Sequence, residues 1–334
     1  MGPRVSVIIP LFNKAPFIQR ALESVSRQTF TDYELIVIDD GSTDGSGAIV
    51  ADLKLPGLTL LTQENSGPGL ARNRGLAEAR GEFVAFLDAD DEWLPEYLER
   101  SVNLLESFGP EAATVTSGYF EYPSGRSTDP LWRKRRLVDG PHRIDPRTPP
   151  QLAIHLLAFM SPCSTLGRTE VLRQLGGFFD RYRSTNAEDA FLFLKILLNH
   201  TIIVNLEPLI RIHREASELS RRGYPRPIEP LLTDPDDLRG VCPPDLRDLL
   251  ENVLAIRALK TACILGYWGR WREARDLRRT FRPPRAWNLP LYWPAQVLST
   301  PLAPVTGKLH RLLLGGPKPE NGANGVKESQ HLRA

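Results

Sequence analysis

FVAFLDADDEW, residues 83–93, joins a short apolar run to a dense group of carboxylates. Residues 83–87 are apolar or small, as is typical of a buried parallel strand. Four acids follow within five positions: Asp88, Asp90, Asp91 and Glu92. Carboxylates this close together disfavour one another's ionisation. The stretch therefore predicts a strand that ends either in a solvated turn or at a site that receives positive charge.

Similar apolar runs precede this stretch, and helical patterns separate them. Strands are predicted at residues 5–10, 33–38, 58–61 and 83–87, and helices at 16–28, 42–53 and 70–80. This alternation indicates an α/β fold with a mainly parallel sheet and helices on both faces. Ligands of such sheets bind beyond the carboxyl ends of the strands. Residues 10–13, 39–40 and 88–90 are therefore expected to converge on one crevice.

The rest of the chain divides at about residue 220, where prolines become frequent. Before that point we predict a long loop at 121–150, helices at 151–160, 169–175 and 187–199, and a strand at 201–206. Beyond it, helical patterns cover 245–265 and 269–282. The predicted organisation is an α/β domain at 1–220, a mostly helical extension at 221–314 and a disordered tail at 315–334.

Composition excludes several classes of protein. The 334 residues carry a net charge of only +2, which does not favour a nucleic-acid partner. Three cysteines without a CxxC pair do not suggest a disulfide framework or a zinc site, so a cytoplasmic location is the default expectation. The N-terminal apolar run is short and is interrupted by Pro10, so it is interpreted as a strand rather than a signal peptide.

A stretch without charge lies between Arg285 and Lys308, next to an arginine-rich helix. Four prolines interrupt it, so a spanning helix of about 20 apolar residues is not expected. Trp287, Tyr292 and Trp293 suit a membrane–water boundary. The arginines are either a solvated helix face packed on the α/β domain or a peripheral contact with an anionic membrane. Both interpretations are open from the sequence.

Each acidic pair has a structural and a functional interpretation. Asp88 and Asp90 could bind Mg²⁺, which prefers one or two carboxylates with phosphate oxygens, or they could form a solvated turn. A calcium loop is excluded because Trp93 stands where a glycine is required. Glu188 and Asp189 begin a predicted helix, where its dipole favours acids. Asp91 and Glu92 are expected to open the next helix in the same way.

Six stretches taken together resemble the family 2 inverting glycosyltransferases, which have the GT-A fold. They are VSVIIPLFNK, SVSRQTFTDYELIVIDDGSTD, ENSGPGLARNRGL, GEFVAFLDADDEWLPE, GGFFDRYRSTNAEDAFL and RIHREASELS. They follow the order and spacing of the family over residues 4 to about 220. The resemblance implies a catalytic GT-A domain at 1–220; the C-terminal third matches none of these motifs.

The resemblance also implies site residues. On the donor side, Asp40 would hold the nucleotide base and Asp88 would face the ribose and diphosphate. Asp90, together with Asp88, would bind Mn²⁺ or Mg²⁺. Asp189 would be the catalytic base, with Glu188 beside it near the acceptor. Arg72 and Asn73 would contact the nucleotide or support it. The remaining donor-site positions are Pro10, Leu11, Phe12, Asn13, Ala89 and, near the diphosphate, His213.

The implied function is metal-dependent transfer of a sugar from a nucleotide sugar, most often a UDP-sugar, to a glycan, lipid-linked or other cell-envelope acceptor. Tyr267 replaces the Gln of the QxxRW motif of processive members, which predicts one transfer per encounter. A sugar-phosphate nucleotidyltransferase is an alternative, although no Gly-rich phosphate loop follows the first strand. A non-catalytic sensor or scaffold that binds the nucleotide sugar is another, although the four acids Asp40, Asp88, Asp90 and Asp189 argue against it.

Overall fold

The computed structural model describes residues 2–53, 55, 57–216, 227–282 and 291–301. The strands are β1 Val5–Leu11, β2 Tyr33–Asp39, β3 Leu58–Thr62, β4 Phe83–Phe86, β5 Glu92–Trp93, β6 Ala112–Tyr122, β7 Arg126–Ser127, β8 Gly140–His142, β9 Thr165–Arg168 and β10 Thr201–His213. The helices are α1 Ile18–Ser26, α2 Ser46–Asp52, α3 Pro68–Glu78, α4 Tyr97–Ser107, α5 Asp129–Lys134, α6 Pro150–Phe159, α7 Thr169–Gln174, α8 Glu188–Asn199, α9 Pro230–Thr233, α10 Pro235–Val241, α11 Arg247–Tyr267, α12 Trp271–Thr280 and α13 Tyr292–Leu298.

One sheet contains all of these strands, in the order β3-β2-β1-β4-β9-β6-β10-β5, with β7 beside β6 and β8 beside β10. The strands β3, β2, β1 and β4 are parallel, as the β-α alternation predicts. Their apolar runs are buried because helices such as α3 cover the sheet. At Gly75 of α3 an added Cβ would lie 2.4 Å from Ile8, so the helix approaches β1 as closely as a glycine permits.

The second half of the sheet is mixed. β9 runs antiparallel between β4 and β6, while β6 and β10 are parallel to each other. The strand predicted at 201–206 continues to His213, with irregular register between Asn205 and Ile210. The prediction of a loop throughout 121–150 is wrong in detail, since β7, α5 and β8 lie within that range. These short elements gain their backbone or side-chain partners from β6 and β10, which a local pattern does not reveal.

The expectation that Asp91 and Glu92 open a helix is also wrong. Glu92 belongs to β5, which pairs with β10, and α4 begins only at Tyr97. Asp91 instead accepts a hydrogen bond from the backbone N–H of His213 at 2.8 Å. Both acids are therefore held by a strand more than one hundred residues away in the chain.

Two compact units are formed by residues 1–220 with 228–257, and by 221–227 with 258–334. In the second unit α12 packs against α13, and α11 ends close to α13. An added Cβ at Gly266 would lie only 2.0 Å from the carbonyl oxygen of Leu298, so this approach requires glycine. Within the part of the chain that the structure describes, no helix has the length and apolar character needed to cross a membrane. The predicted tail at 315–334 lies outside the described residues.

Candidate active site

The carboxyl ends of β1, β2 and β4 meet at one edge of the sheet. The strand order reverses between β1 and β4, and such a switch point is where ligands of open α/β sheets bind. The N–H of Asp40 donates to the carbonyl of Leu11 at 2.8 Å, and the N–H of Leu87 donates to that of Ile8 at 3.0 Å. The three predicted clusters, after β1, after β2 and after β4, are thus brought together.

Asp40 is buried and is surrounded by neutral hydrogen-bond donors. Its carboxylate accepts bonds from Gln63 Nε2 at 2.7 Å, from the N–H of Ser66 at 2.9 Å and from the N–H of Gly67 at 2.9 Å. Backbone donors of this kind stabilise an ionised carboxylate. Asp40 therefore anchors the turn before α3 to the end of β2.

The residues that follow β1 have different environments. Leu11 is fully buried, so its side chain belongs to the core, whereas Phe12 is 43% exposed and offers its ring at the edge of the sheet. Asn13 has a positive φ of 50° and accepts the N–H of Thr43 at 2.8 Å. Of these residues, Phe12 has the side chain that is free to stack on a ligand.

Arg72 joins two acidic segments that are distant in the sequence. Its Nη1 donates to Glu188 Oε1 at 2.9 Å and its Nη2 donates to Asp88 Oδ1 at 2.7 Å. The guanidinium is buried and lies 5.3 Å from the ring centroid of Phe178. The three residues Asp88, Arg72 and Glu188, called the Arg72 bridge below, connect the end of β4 to the start of α8.

The side-chain amide of Asn73 is occupied by hydrogen bonds to the backbone of Phe178. Its amide nitrogen donates to the carbonyl of Phe178 at 2.8 Å, and its amide oxygen accepts the N–H of the same residue at 2.8 Å. Of the two roles that the resemblance left open, these contacts favour support. Gly177 adopts φ of +70°, and a side chain there would collide with Asn73.

The two acids of the Arg72 bridge and three more carboxylates nearby form what is called the acidic cluster below: Asp88, Asp90, Asp91, Glu188 and Asp189. Among the residues that the structure describes, ion pairs connect two cations, Lys14 and Arg72, to three of these acids. Lys14 Nζ lies 2.7 Å from Asp90 Oδ2. Arg20 adds a third positive charge nearby, on the backbone carbonyl of Asp90, so five acids still outnumber the cations that face them.

The shortage is visible in the pKa values of the acids. Burial, reinforced by the charge of Asp88, raises the pKa of both Asp90 and Asp91. Burial and the neighbouring Asp189 raise the pKa of Glu188 to about 7, against the opposing effect of Arg72. Burial also raises the pKa of Asp189. A carboxylate with a raised pKa is a stronger base near neutral pH, and such shifts are common at functional sites.

The cluster contains a group of atoms that fits a cation. One ligand atom each from Asp88, Asp91 and Cys163 lie within 4.8 Å of one another. Asp88 was expected in such a group, whereas Asp91 and Cys163 were not, and Asp90 is held by Lys14 instead. Two carboxylates beside a buried thiol are a donor set that a divalent cation could occupy.

His213 is the last residue of β10 and contacts the segment that follows β4. One ring nitrogen lies 3.0 Å from Glu92 Oε1 and the other 2.9 Å from Glu215 Oε1. The ring stacks on Tyr122 with centroids 5.0 Å apart. Glu92, Glu215 and Tyr122 were not predicted as partners, because nothing in the local sequence relates them to residue 213. The ring therefore fastens the end of β10 to the segment after β4.

Known glycosyltransferases resemble this chain over part of its length. The model of the family described as Glycosyl transferase family 2 matches residues 6–176. The uncharacterized glycosyltransferase alr2836 of Nostoc is 43% identical over 107 residues, covering 31% of this chain and 33% of its own length. The succinoglycan biosynthesis protein ExoO of Rhizobium meliloti is 38% identical over 112 residues, covering 33% and 32%. The matched part thus spans about a third of the length of these curated relatives.

Two solved structures have the same fold. S. aureus TarS 1–349 in complex with UDP superposes with a TM-score of 0.62 at 19% identity, covering 92% of this chain and 91% of its own. The mannosyltransferase PcManGT from Pyrobaculum calidifontis, in complex with GDP-Man and Mn²⁺, gives a TM-score of 0.51 at 21% identity, covering 95% and 89%. These likenesses confirm the predicted GT-A fold class and the helical C-terminal part.

Proposed function

Because the chain belongs to glycosyl transferase family 2, we propose that it transfers a sugar from a nucleotide-sugar donor to a hydroxyl group of a cell-envelope glycan or lipid-linked acceptor. The observation that carries the proposal is the Arg72 bridge, which joins the donor-side acid Asp88 to Glu188. Asp189, next to Glu188 at the start of α8, is thereby set beside the end of β4.

On the donor side, the base would stack on Phe12 close to Asp40. Phe12 is the exposed aromatic residue at this edge, and Asp40 lies at the end of the neighbouring strand. Four hydrogen bonds of Asp40 and Asn13 tie the segments after β1, β2 and β3 to one another without a donor. Preorganised contacts of this kind reduce the ordering cost of binding.

On the acceptor side, Asp189 is the proposed general base. Its carboxylate takes the proton of the acceptor hydroxyl while that oxygen attacks the anomeric carbon of the donor sugar. The bond from that carbon to the nucleoside diphosphate breaks, and the bonding electrons leave with the diphosphate. Attack from the face opposite the leaving group inverts the anomeric centre, so no covalent enzyme intermediate is formed.

A divalent cation fits the proposal. Asp90 and Asp88 would hold Mn²⁺ or Mg²⁺, with Asp91 and Cys163 close by. Such a cation neutralises negative charge on a nucleoside diphosphate. The excess of carboxylates in the acidic cluster supports this assignment, and the presence of Mn²⁺ with GDP-Man in PcManGT is consistent with it.

The donor class is proposed as a UDP-sugar, since TarS binds UDP and UDP-GlcNAc. An envelope polysaccharide acceptor is supported by the succinoglycan biosynthesis protein ExoO among the relatives. Tyr267 stands at the end of α11 where processive members have Gln, which supports a single transfer per encounter.

We also propose a peripheral contact of the second unit with an anionic membrane at its cytoplasmic face. Arg272 and Arg275 of α12 lie 5.3 and 5.2 Å from the ring of Trp271, and burial together with neighbouring arginines lowers the pKa of Arg278. On α13, Trp293 is 69% exposed and Val297 is also exposed. Arginines beside exposed apolar side chains suit an anionic interface, where each basic residue contributes about 1 kcal/mol.

Vesicle flotation tests the membrane contact with the full chain. The wild type should float with vesicles that contain anionic phospholipid. Two variants, the single substitution Trp293→Ser and the double substitution Arg272→Gln with Arg275→Gln, should each reduce the bound fraction several-fold. Vesicles of neutral phospholipid are the control. Equal binding of the variants to anionic vesicles contradicts the contact.

The proposed activity is tested with a panel of UDP-, GDP- and dTDP-sugars and Mn²⁺ or Mg²⁺. We expect one donor class to raise the melting temperature and to be consumed by transfer or slow hydrolysis, with loss of consumption in chelator. Stable binding of a donor that is never consumed would favour a sensor instead. Exchange of pyrophosphate into a nucleotide sugar would favour a nucleotidyltransferase.

A further inference from the structure

Lys14 reaches into the acidic cluster from the segment that follows β1. Its Nζ donates to Asp90 Oδ2 at 2.7 Å and to the carbonyl oxygen of Ala216 at 2.9 Å. The side chains of the ion pair are 17% and 14% exposed, so the contact is largely withdrawn from water. The backbone N–H of Lys14 donates to Ser46 Oγ at 2.9 Å, which holds the residue in place.

We propose that Lys14 is an internal counter-ion that competes with the divalent cation for Asp90, and that it turns to the donor diphosphate when the cation binds. The inference rests on the proposed function, because it assumes a nucleoside diphosphate at this edge of the sheet. The sequence motifs did not predict this positioning role for Lys14.

Lys14 and a bound cation would carry like charges at the same carboxylate. A cation on Asp90 and an ammonium 2.7 Å from the same carboxylate repel each other, and shielding by water is weak where both side chains are largely buried. Binding of the cation therefore favours displacement of Lys14. Ala216, whose carbonyl shares the ammonium, loses that contact at the same time.

A displaced ammonium needs a new anion. Asp88, the other acid of the DAD stretch, is already bound by Arg72 and does not offer a free replacement. A diphosphate supplies two negative groups at the edge where Lys14 lies. Cation and nucleotide then strengthen each other's binding, and such coupling is reciprocal.

Arg20 provides a matched control. Its guanidinium donates to the backbone carbonyl oxygen of Asp90 rather than to the carboxylate. It also lies over the same ring as Lys14, at 5.7 Å against 5.8 Å from the centroid of Phe17. Arg20→Gln therefore removes a nearby positive charge without removing the contact that the proposal requires.

The experiment measures Mn²⁺ affinity by electron paramagnetic resonance titration and by calorimetry, with and without UDP or GDP. Without nucleotide, Lys14→Gln should bind Mn²⁺ about tenfold more tightly than the wild type, and its gain in Mn²⁺ affinity on adding nucleotide should be about tenfold smaller. Lys14→Arg should behave like the wild type, and Arg20→Gln should change Mn²⁺ affinity less than twofold. Melting temperatures show that each variant is folded.

An Mn²⁺ affinity of Lys14→Gln that equals or falls below that of the wild type overturns the competition. An unaltered nucleotide effect in Lys14→Gln overturns the transfer of Lys14 to the diphosphate. If neither nucleotide changes Mn²⁺ binding to the wild type, the proposed function is contradicted, whereas the arm without nucleotide still decides whether Lys14 competes for Asp90.

Discussion

Asp40 and the acidic cluster both place carboxylates at the edge of the sheet where the strands end, yet their charges are met in different ways. Asp40, after β2, accepts bonds from three neutral donors in the turn before α3, which lie 23 to 27 residues later in the chain. The acidic cluster has five carboxylates, and among the described residues ion pairs link two cations to three of them. The carboxylate of Asp40 has its hydrogen-bond donors without a ligand, whereas the acidic cluster still lacks positive charge.

The difference separates support from reactivity. The hydrogen bonds that Asp40 accepts hold the turn before α3 in place. Buried carboxylates that face one another have raised pKa values, and they can take a proton or attract a cation. We therefore expect substitutions in the acidic cluster to affect transfer most, and substitution of Asp40 to affect stability and donor binding.

The largest effect is expected for Asp189→Asn. An amide cannot accept the proton of the acceptor hydroxyl, so the transfer rate should fall by about 10³-fold or more, while binding of the nucleotide remains. Transfer rates and calorimetric nucleotide affinities measure the two properties separately. Asp180→Asn is the control, because Asp180 accepts a bond from Asn73 and lies outside the cluster. An active Asp189→Asn enzyme removes the base from the proposal.

The next effect concerns Arg72→Gln, which breaks the Arg72 bridge. Asp88 and Glu188 would lose their shared cation, so we expect transfer to fall by about 10²-fold. Arg74→Gln is the control on the same helix, because Arg74 donates to the carbonyl of Thr62 at 2.8 Å and not to the acidic cluster. Equal rates for the two variants would show that the bridge does not position the catalytic groups.

Asp40→Asn should act mainly on the folded state. The amide nitrogen would face at least one N–H donor, leaving a buried group unpaired, and the free energy of unfolding should drop by about 2–3 kcal/mol. Denaturant unfolding and nucleotide affinity measure the outcome. An unchanged unfolding free energy together with weaker nucleotide binding would contradict this prediction. Asp40 would then contribute to nucleotide binding rather than to the stability of the turn before α3.

The smallest effect is a pH dependence of stability. The pKa of Glu188 is about 7 in the folded protein and near its ordinary value of 4.5 in the unfolded chain. Between these values the folded state binds more protons, so this group's contribution to stability falls as pH rises through about 7. Glu188→Gln does not titrate, so its stability relative to the wild type should improve by about 1–2 kcal/mol from pH 5 to pH 8.

Denaturant unfolding at both pH values checks this sign, and the difference between variant and wild type cancels the contributions of other titrating groups. His200, whose lowered pKa acts in the opposite direction, is one such group. A constant difference between pH 5 and pH 8 would mean that Arg72 keeps Glu188 ionised. The activity profile should show the matching trend, with transfer rising with pH as the acids of the cluster lose their protons.

Much of the fold follows from local sequence patterns. The runs that form β1, β2 and β4 are apolar enough to be recognised alone, and Gly-containing turns and helical spacing mark the elements between them. By contrast β6 and β9 were not predicted, α4 was predicted to begin too early, and β10 was predicted only in part. β9 has four residues and gains its hydrogen bonds from β4 and β6, so its own pattern is too short to decide its state.

Some residues of the candidate site were predicted from the sequence, and others were found only in the structure. Asp40, Asp88, Asp90 and Asp189 were predicted as site residues because they stand at strand ends or a helix start within stretches that resemble family 2 glycosyltransferases. Lys14 and Cys163 were not, because a single lysine or cysteine has no pattern around it. Their relation to the cluster appears only when residues 76 positions apart are brought into an ion pair, as Lys14 and Asp90 are.

The sequence by itself determined the order of the N-terminal elements and which acids stand at their ends, because periodicity and turn chemistry act over a few residues. The tertiary structure decided how those acids are neutralised. Asp40 receives neutral donors from the turn before α3, while Asp88 and Glu188 share one buried arginine. Burial and charge depend on every segment that approaches in space, so neither can be read from the spacing of residues along the chain.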